Sequence, residues 1–174
     1  MLASFFDRMI RASMLDAAVY RDVSADPSAT RQALLVVVLS SLLGAVGAAI
    51  GSTWAGLGGR LAQDVALGLI GWAVWAFITY LVGARLFRPG ARYGDLLRGI
   101  GFASSPGVLR LFVFVPVVGG VIYWAVAFWM LIAGVYAVRQ ALGVGFGPAI
   151  AASVVGWIGL LLVNALIFAG MQAL

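Results

Sequence analysis

Long apolar runs dominate the chain, and most polar residues fall between them. An α-helix needs about 20 consecutive apolar residues to cross a bilayer, and five runs are close to that length. The pattern predicts membrane spans over about residues 33–50, 65–86, 96–116, 121–138 and 149–169. We therefore predict an all-α, polytopic membrane bundle in which residues 31–174 form a domain of five transmembrane helices.

Residues 1–30 have a different pattern, which predicts a short amphipathic helix. Apolar and polar residues recur on opposite sides of this helix, the first set being Leu2, Phe5, Phe6, Met9 and Ile10, and the second Ser4, Asp7, Arg8 and Arg11. We expect the helix to lie flat in the cytoplasmic headgroup region, with packing against the bundle as the alternative. Asp16 caps a second short helix, and Asp26 with Pro27 begins the first span.

The third predicted span contains Pro106. Proline removes one backbone donor and frees the carbonyl of Phe102, four residues earlier. The hydroxyl of Ser104 or Ser105, or a neighbouring helix, can donate to this carbonyl in place of the missing backbone N–H. We predict a kinked full span, and the alternative is a re-entrant hairpin that would leave four full spans.

Composition narrows the function classes. Residues of the apolar types make up 64% of the chain and charged residues only 10%, whereas soluble domains are about one-quarter charged. The chain has no His, Cys, Glu or Lys, so it lacks the usual transition-metal ligands and most general bases. We predict no metal, no cofactor and no enzymatic activity. Nucleic-acid binding is not expected either, because no soluble domain presents a basic face.

The arginines predict an orientation. With the N-terminus in the cytoplasm, one side of the membrane would hold Arg8, Arg11, Arg21, Arg31, Arg85, Arg88, Arg92, Arg98 and Arg139. The outer side would hold only Arg60, and Arg110 lies within a span. Cytoplasmic loops carry the excess of positive charge, so the pattern predicts a cytoplasmic N-terminus and an outer C-terminus.

One loop concentrates this charge. It contains Arg85, Arg88, Arg92 and Arg98, with Asp95 as its one acid. Each arginine near an anionic membrane surface contributes about 1 kcal/mol of attraction. We predict contact with anionic lipid headgroups, and the alternative is that the loop only enforces topology.

Arg110 is the leading candidate for a functional residue. An arginine inside a span costs about 2.5–3.5 kcal/mol on insertion scales, so it needs a partner or water. Asn164 falls at similar depth and Asp64 is the nearby acid. These three residues, with Ser104, Ser105 and Pro106, form a candidate intramembrane polar site. The alternatives are that Arg110 snorkels to the interface or makes a structural pair.

Small residues recur at four-residue spacing, as in Ser40, Gly44 and Ala48, and again in Ala152 and Gly156. Such faces let helices approach closely. Packing within one chain is expected, and self-association into a homo-oligomer is the alternative.

Four segments resemble the bacterial branch of the Yip domain family, whose eukaryotic members are the Ypt/Rab-interacting membrane proteins. The segments are Tyr20–Pro27, Tyr93–Pro106, Pro116–Gly120 and Ala137–Leu142. The resemblance implies a five-span fold with a cytoplasmic N-terminus, here in a bacterial cytoplasmic membrane, and no well-defined activity. The Rab-binding role of the eukaryotic members is not expected, because their Asp-Leu-Tyr-Gly-Pro-type motif does not occur here.

Three functions are consistent with these patterns. The first, implied by the resemblance, is a non-enzymatic role in organising the membrane or binding a protein partner. The second is a small transporter or channel that uses the Pro106 kink and Arg110. The third is a lipid-handling protein that uses the basic loop and the amphipathic N-terminal helix.

Overall fold

The computed structural model describes residues 2–50, 57–87 and 92–172, and every regular element in these ranges is helical. The elements are α1 (Leu2–Ser13), α2 (Ala17–Ala25), α3 (Ala29–Ile50), α4 (Leu57–Leu86), α5 (Tyr93–Ala103), a 3₁₀ segment (Ser105–Phe114), α6 (Gly119–Leu142) and α7 (Phe146–Gln172). Five stretches are long and apolar enough to cross a membrane, and α5 with the 3₁₀ segment forms the third of them. The predicted all-α bundle with five spans is confirmed, and the chain is an integral membrane protein.

Several helices extend beyond the apolar runs that predicted them. α4 begins at Leu57 instead of near residue 65, so Asp64 lies two turns inside the helix. A helix can continue past its apolar run because its backbone hydrogen bonds do not depend on side-chain polarity. Part of the predicted connector before α4, residues 51–56, lies outside the described residues.

Contacts along the third span define the two ends of the bundle. At one end, which we call the α2 end, Gly99 lies against Ser24 of α2. Farther along the span, Gly107 lies against Ser40, in the middle of α3. The opposite end, where α4 carries Asp64, is called the Asp64 end.

The third span runs through the bundle in one direction. Gly101 packs against Ala33 near the start of α3, and Arg110 lies beside Gly44 farther along the same helix. A hairpin would turn back toward Ala33, and the register shows no such return. The span is therefore a full crossing, and its irregularity is a change from α-helix to 3₁₀ geometry at Ser105.

Two side-chain hydrogen bonds hold the end of α1, one from α2 and one from α6 of the bundle. The Tyr20 hydroxyl donates to the carbonyl of Ala12 over 2.8 Å, and the Trp129 indole donates to the carbonyl of Ser13 over 2.8 Å. Both carbonyls belong to the last turn of α1, where the regular helical donors end, and the Ala12 carbonyl also accepts from the backbone N–H of Leu15 over 3.0 Å. Burial raises the pKa of the Tyr20 phenol above its usual value, which keeps the donor protonated.

α1 has a buried side and an exposed apolar side. Met9 and Ala12 are buried in the core, whereas Phe6, Ile10 and Met14 are exposed. The helix thus combines packing against the bundle with a free apolar face of the kind that lipid covers. Its position in the headgroup region stays a prediction.

Glycines on the small-residue faces serve contacts within the chain. Gly47 of α3 lies directly on the backbone carbonyls of Arg110 and Leu111, and Gly156 of α7 lies on Trp75 of α4. A side chain at either glycine would push the neighbouring element away. These two positions therefore set helix spacing within the chain, and at Gly156 this agrees with the predicted packing role.

Candidate functional site

A cavity of about 500 Å³ lies among α3, α4, the 3₁₀ segment, α6 and α7. It extends from the Asp64 end to the middle of the bundle. Four of the six predicted site residues line it, namely Asp64, Ser104, Arg110 and Asn164. Ligand-binding clefts typically enclose about 300–1,000 Å³, so the space fits a small molecule or a lipid headgroup.

The 3₁₀ geometry directs Arg110 toward this cavity. Side chains three residues apart lie above one another in a 3₁₀ helix, which places Gly107, Arg110 and Val113 on one face. Arg110 and Val113 line the cavity, whereas Leu109 and Phe112 are exposed on the outside of the bundle. Runs of 3₁₀ helix longer than about four residues are uncommon, and this one has 10 residues.

Arg110 has no hydrogen-bond acceptor among the described residues. Its Nε is buried without a partner, and the guanidinium carbon lies 5.0 Å from the centre of the Tyr123 ring. The described ion pairs join other arginines to Asp7, Asp16, Asp26 and Asp95. A cation–π contact contributes about 0.5–2 kcal/mol, less than the cost of an arginine at membrane depth. The guanidinium is therefore incompletely compensated by the protein.

Asn164 and Asp64 add acceptors to the same cavity. The Asn164 amide nitrogen donates to the carbonyl of Leu160, one turn earlier, over 3.0 Å. This bond leaves the amide oxygen of Asn164 as an acceptor. Asp64 is half-buried and takes part in none of the described ion pairs. The cavity lining thus includes one guanidinium, one carboxylate and one side-chain amide.

Side-chain hydroxyls near Pro106 donate hydrogen bonds to the backbone carbonyls at the break in the helix. The Ser105 hydroxyl donates to the freed carbonyl of Phe102 over 2.7 Å, as the sequence predicts. On the other side of the break, the Ser40 hydroxyl donates to the carbonyl of Ser104 over 2.8 Å. Ser105 and Pro106 are buried in this joint and do not line the cavity.

The aromatic lining of the cavity was not predicted from the sequence. Tyr123 and Trp124 of α6, with Trp72, Trp75 and Trp157, all face it. No local pattern reveals this, because each tryptophan at mid-span fits a gap-filling role equally well. The small residues at four-residue spacing were the available signal, since Ser40, Gly44 and Ala48 line the cavity wall on α3.

The predicted headgroup-binding loop requires one correction, at Arg98. This residue is only 7% exposed, and its guanidinium donates to the carbonyls of Val23 and Ser24 and to the Asp95 carboxylate. Those carbonyls end α2, where a cation is favoured by the helix dipole. Arg98 is therefore a structural cap and not a headgroup ligand. Arg85 and Arg92 are exposed, and Arg88 lies outside the described residues.

The chain matches no family model, no curated protein and no solved structure. The resemblance to the Yip domain family therefore stays a hypothesis. The chemistry of the cavity itself is the basis for the proposal that follows.

Proposed function

We propose that this integral membrane protein binds an anionic group in the cavity beside Arg110 and performs no covalent chemistry on it. The single observation that carries the proposal is the half-buried Arg110 side chain with its buried Nε, which lines the cavity without a hydrogen-bond acceptor or an ion-pair partner among the described residues. A carboxylate or phosphate supplies the missing acceptors and is held most strongly by a guanidinium.

The anionic group has two sources in a membrane. It can belong to a small solute, in which case the protein is a carrier or channel, or to a lipid headgroup, in which case the protein handles lipid. The cavity reaches the middle of the bundle and is lined by residues of five elements, which fits a solute path. The exposed apolar face of α1 fits contact with lipid.

Binding and flux measurements test the proposal. Purified protein is titrated with inorganic phosphate, acetate and phosphatidylglycerol vesicles, and tryptophan fluorescence reports binding because tryptophans line the cavity. We expect binding of at least one probe, weakened more than tenfold by Arg110→Gln and unchanged by Arg31→Gln, a control on an exposed arginine of α3 outside the basic loop. Equal binding by Arg110→Gln would overturn the proposal, as would no binding by the unaltered protein.

Flux into proteoliposomes separates the two sources. A carrier moves a bound solute faster than empty vesicles do, and Arg110→Gln abolishes that flux while the protein stays folded. A lipid-handling protein shows binding of the vesicle lipid and no solute flux. Both results are consistent with an anion site. Solute flux assigns the site to transport, and lipid binding without flux assigns it to lipid handling.

A partner-binding or membrane-organising role, which the Yip resemblance implies, is the second candidate. The observation that favours it is the exposed apolar face of Phe6, Ile10 and Met14. Deleting residues 2–30 would also remove buried core residues, so the sharper test is Ile10→Gln on the exposed face. Stoichiometric co-purification of a protein, lost in Ile10→Gln, is expected; repeated isolation of the chain alone would contradict it.

We also propose that the α2 end faces the cytoplasm of a bacterium and that the C-terminus lies outside. The exposed Arg85 and Arg92 lie at the α2 end, and positive residues favour the cytoplasmic side. Reporter fusions after Gly143 and at the C-terminus should report opposite sides of the membrane. A cytoplasmic C-terminal fusion would contradict this orientation.

A further inference from the structure

The cavity has one positive and one negative side chain in its lining. Arg110 and Asp64 both line it, and no other described charged residue does so. They do not form an ion pair with each other in the structure. Neither charge has an ion-pair partner among the described residues, and Arg110 has only its cation–π contact with Tyr123.

A simple anion compensates only one of the two charges. Its approach to Arg110 brings a second negative charge into the space that holds the Asp64 carboxylate, and like charges in a partly desolvated site repel each other strongly. A ligand with separate positive and negative groups neutralises both side chains. Burial of charged groups away from water is tolerated when each is paired.

The lining supplies further groups that suit an ammonium. Trp124 and Trp157 present aromatic rings to the cavity, and aromatic faces attract cations when the site is desolvated. The Asn164 amide oxygen remains an acceptor because its nitrogen is bonded to Leu160. An ammonium donates hydrogen bonds to a carboxylate and an amide oxygen.

We infer that the cavity takes a zwitterion, with the anionic group on Arg110 and an ammonium group toward Asp64 and Asn164. This inference rests on the proposed function and specifies its ligand class. The shared chemistry is an ammonium joined by a short linker to a phosphate or carboxylate. It occurs in free zwitterionic solutes and in ethanolamine-bearing lipid headgroups, and the cavity of about 500 Å³ holds either.

The test uses two pairs of probes in which an ethanolamine that carries the ammonium is replaced by an uncharged glycerol. Glycerophosphoethanolamine and glycerophosphoglycerol form the water-soluble pair, and phosphatidylethanolamine and phosphatidylglycerol with identical acyl chains form the lipid pair. Binding to the full chain in a non-ionic maltoside detergent, which carries no charged headgroup, is followed by tryptophan fluorescence. The variants are Asp64→Asn and Arg110→Gln, and Asp22→Asn serves as the control because Asp22 is exposed at the α2 end.

We expect the protein to bind the ethanolamine member at least tenfold more tightly than the glycerol member in one or both pairs. Asp64→Asn should abolish this preference while binding the glycerol member at least as well as before. Arg110→Gln should weaken both members, and Asp22→Asn should change neither. Preference in the soluble pair assigns the ligand to free solutes, and preference in the lipid pair alone assigns it to headgroups.

Two results would overturn the inference in distinguishable ways. Equal binding of both members that is still lost in Arg110→Gln rejects the zwitterion and leaves the anion site intact, as does a preference that persists in Asp64→Asn. No binding of any member by the unaltered protein counts against the anion site and the zwitterion together.

Discussion

The third span carries two arginines whose surroundings are opposite. Arg98, at the α2 end, is almost fully buried and donates to two helix-ending carbonyls and one carboxylate. Arg110, twelve residues later, has a buried Nε without any acceptor and faces a cavity. A buried arginine whose donors are satisfied contributes to the fold, whereas one left incompletely paired is a cost that the fold tolerates at a site for a ligand.

The largest effect is expected at Arg98. Arg98→Met leaves the carbonyls of Val23 and Ser24 without their donor and Asp95 without its cation. Removing one partner of a buried charged network costs about 3–5 kcal/mol, so we expect about 3 kcal/mol less stability in reversible denaturation in detergent. Arg92→Gln, on an exposed side chain of the same loop, should change stability little. Equal stability of Arg98→Met and the unaltered protein would refute the capping role.

The same substitution at Arg110 should have the opposite sign. Arg110→Met removes an arginine whose insertion costs about 2.5–3.5 kcal/mol and whose contact with Tyr123 returns only part of that. We expect unchanged or higher stability without ligand, by up to about 2 kcal/mol, together with loss of anion binding. The measurement is the same denaturation series with the binding titration beside it. A stability loss comparable to that of Arg98→Met would show that Arg110 is structural too.

A smaller effect is expected where α3 supports the Arg110 segment. A Cβ at Gly47 would lie 2.8 Å from the Leu111 carbonyl carbon, whereas a Cβ at Gly44 would lie 3.5 Å from the Arg110 Cβ, an ordinary contact. Overpacking costs about 1–3 kcal/mol, so Gly47→Ala should destabilise the protein by that amount and weaken anion binding. Gly44→Ala is the matched control, and an equal effect of the two variants would mean that this backbone approach does not position Arg110.

The smallest effect concerns the surface ion pairs beside α1. The hydrogen bond from Arg11 lowers the pKa of Asp16 below its usual 3.8, and the one from Ser28 lowers that of Asp26. A carboxylate whose pKa falls on folding contributes stability above its unfolded pKa and loses it as the pH falls through the folded value. Stability should therefore decline slightly below about pH 4, and Asp16→Asn should reduce that decline. An unchanged acid profile in Asp16→Asn would contradict the pairing with Arg11.

Part of the site was predictable from the sequence, because a polar residue inside a membrane span has a free-energy cost that its position in an apolar run already indicates. Arg110 and Asn164 are conspicuous inside apolar runs, and Pro106 identifies the carbonyl that Ser105 satisfies. The predicted headgroup contact of Arg98 was wrong, because an arginine in a basic loop has the same local sequence pattern whether it faces headgroups or caps α2. Only the packing of α2 against α5 distinguishes the two.

The sequence by itself determined the five spans, since a bilayer requires long apolar helices whose length and composition are local properties. It also determined which polar residues lie at membrane depth. The sequence also predicted one polar site for Asp64, Arg110 and Asn164, and the tertiary structure added the cavity that they line together with Tyr123 and Trp124. The tertiary structure also decided that the segment after Pro106 is a 3₁₀ helix, whose three-residue period turns Arg110 inward while Leu109 and Phe112 face out. The physical reason is that burial and pairing depend on neighbours from other helices, and local pattern carries no record of them.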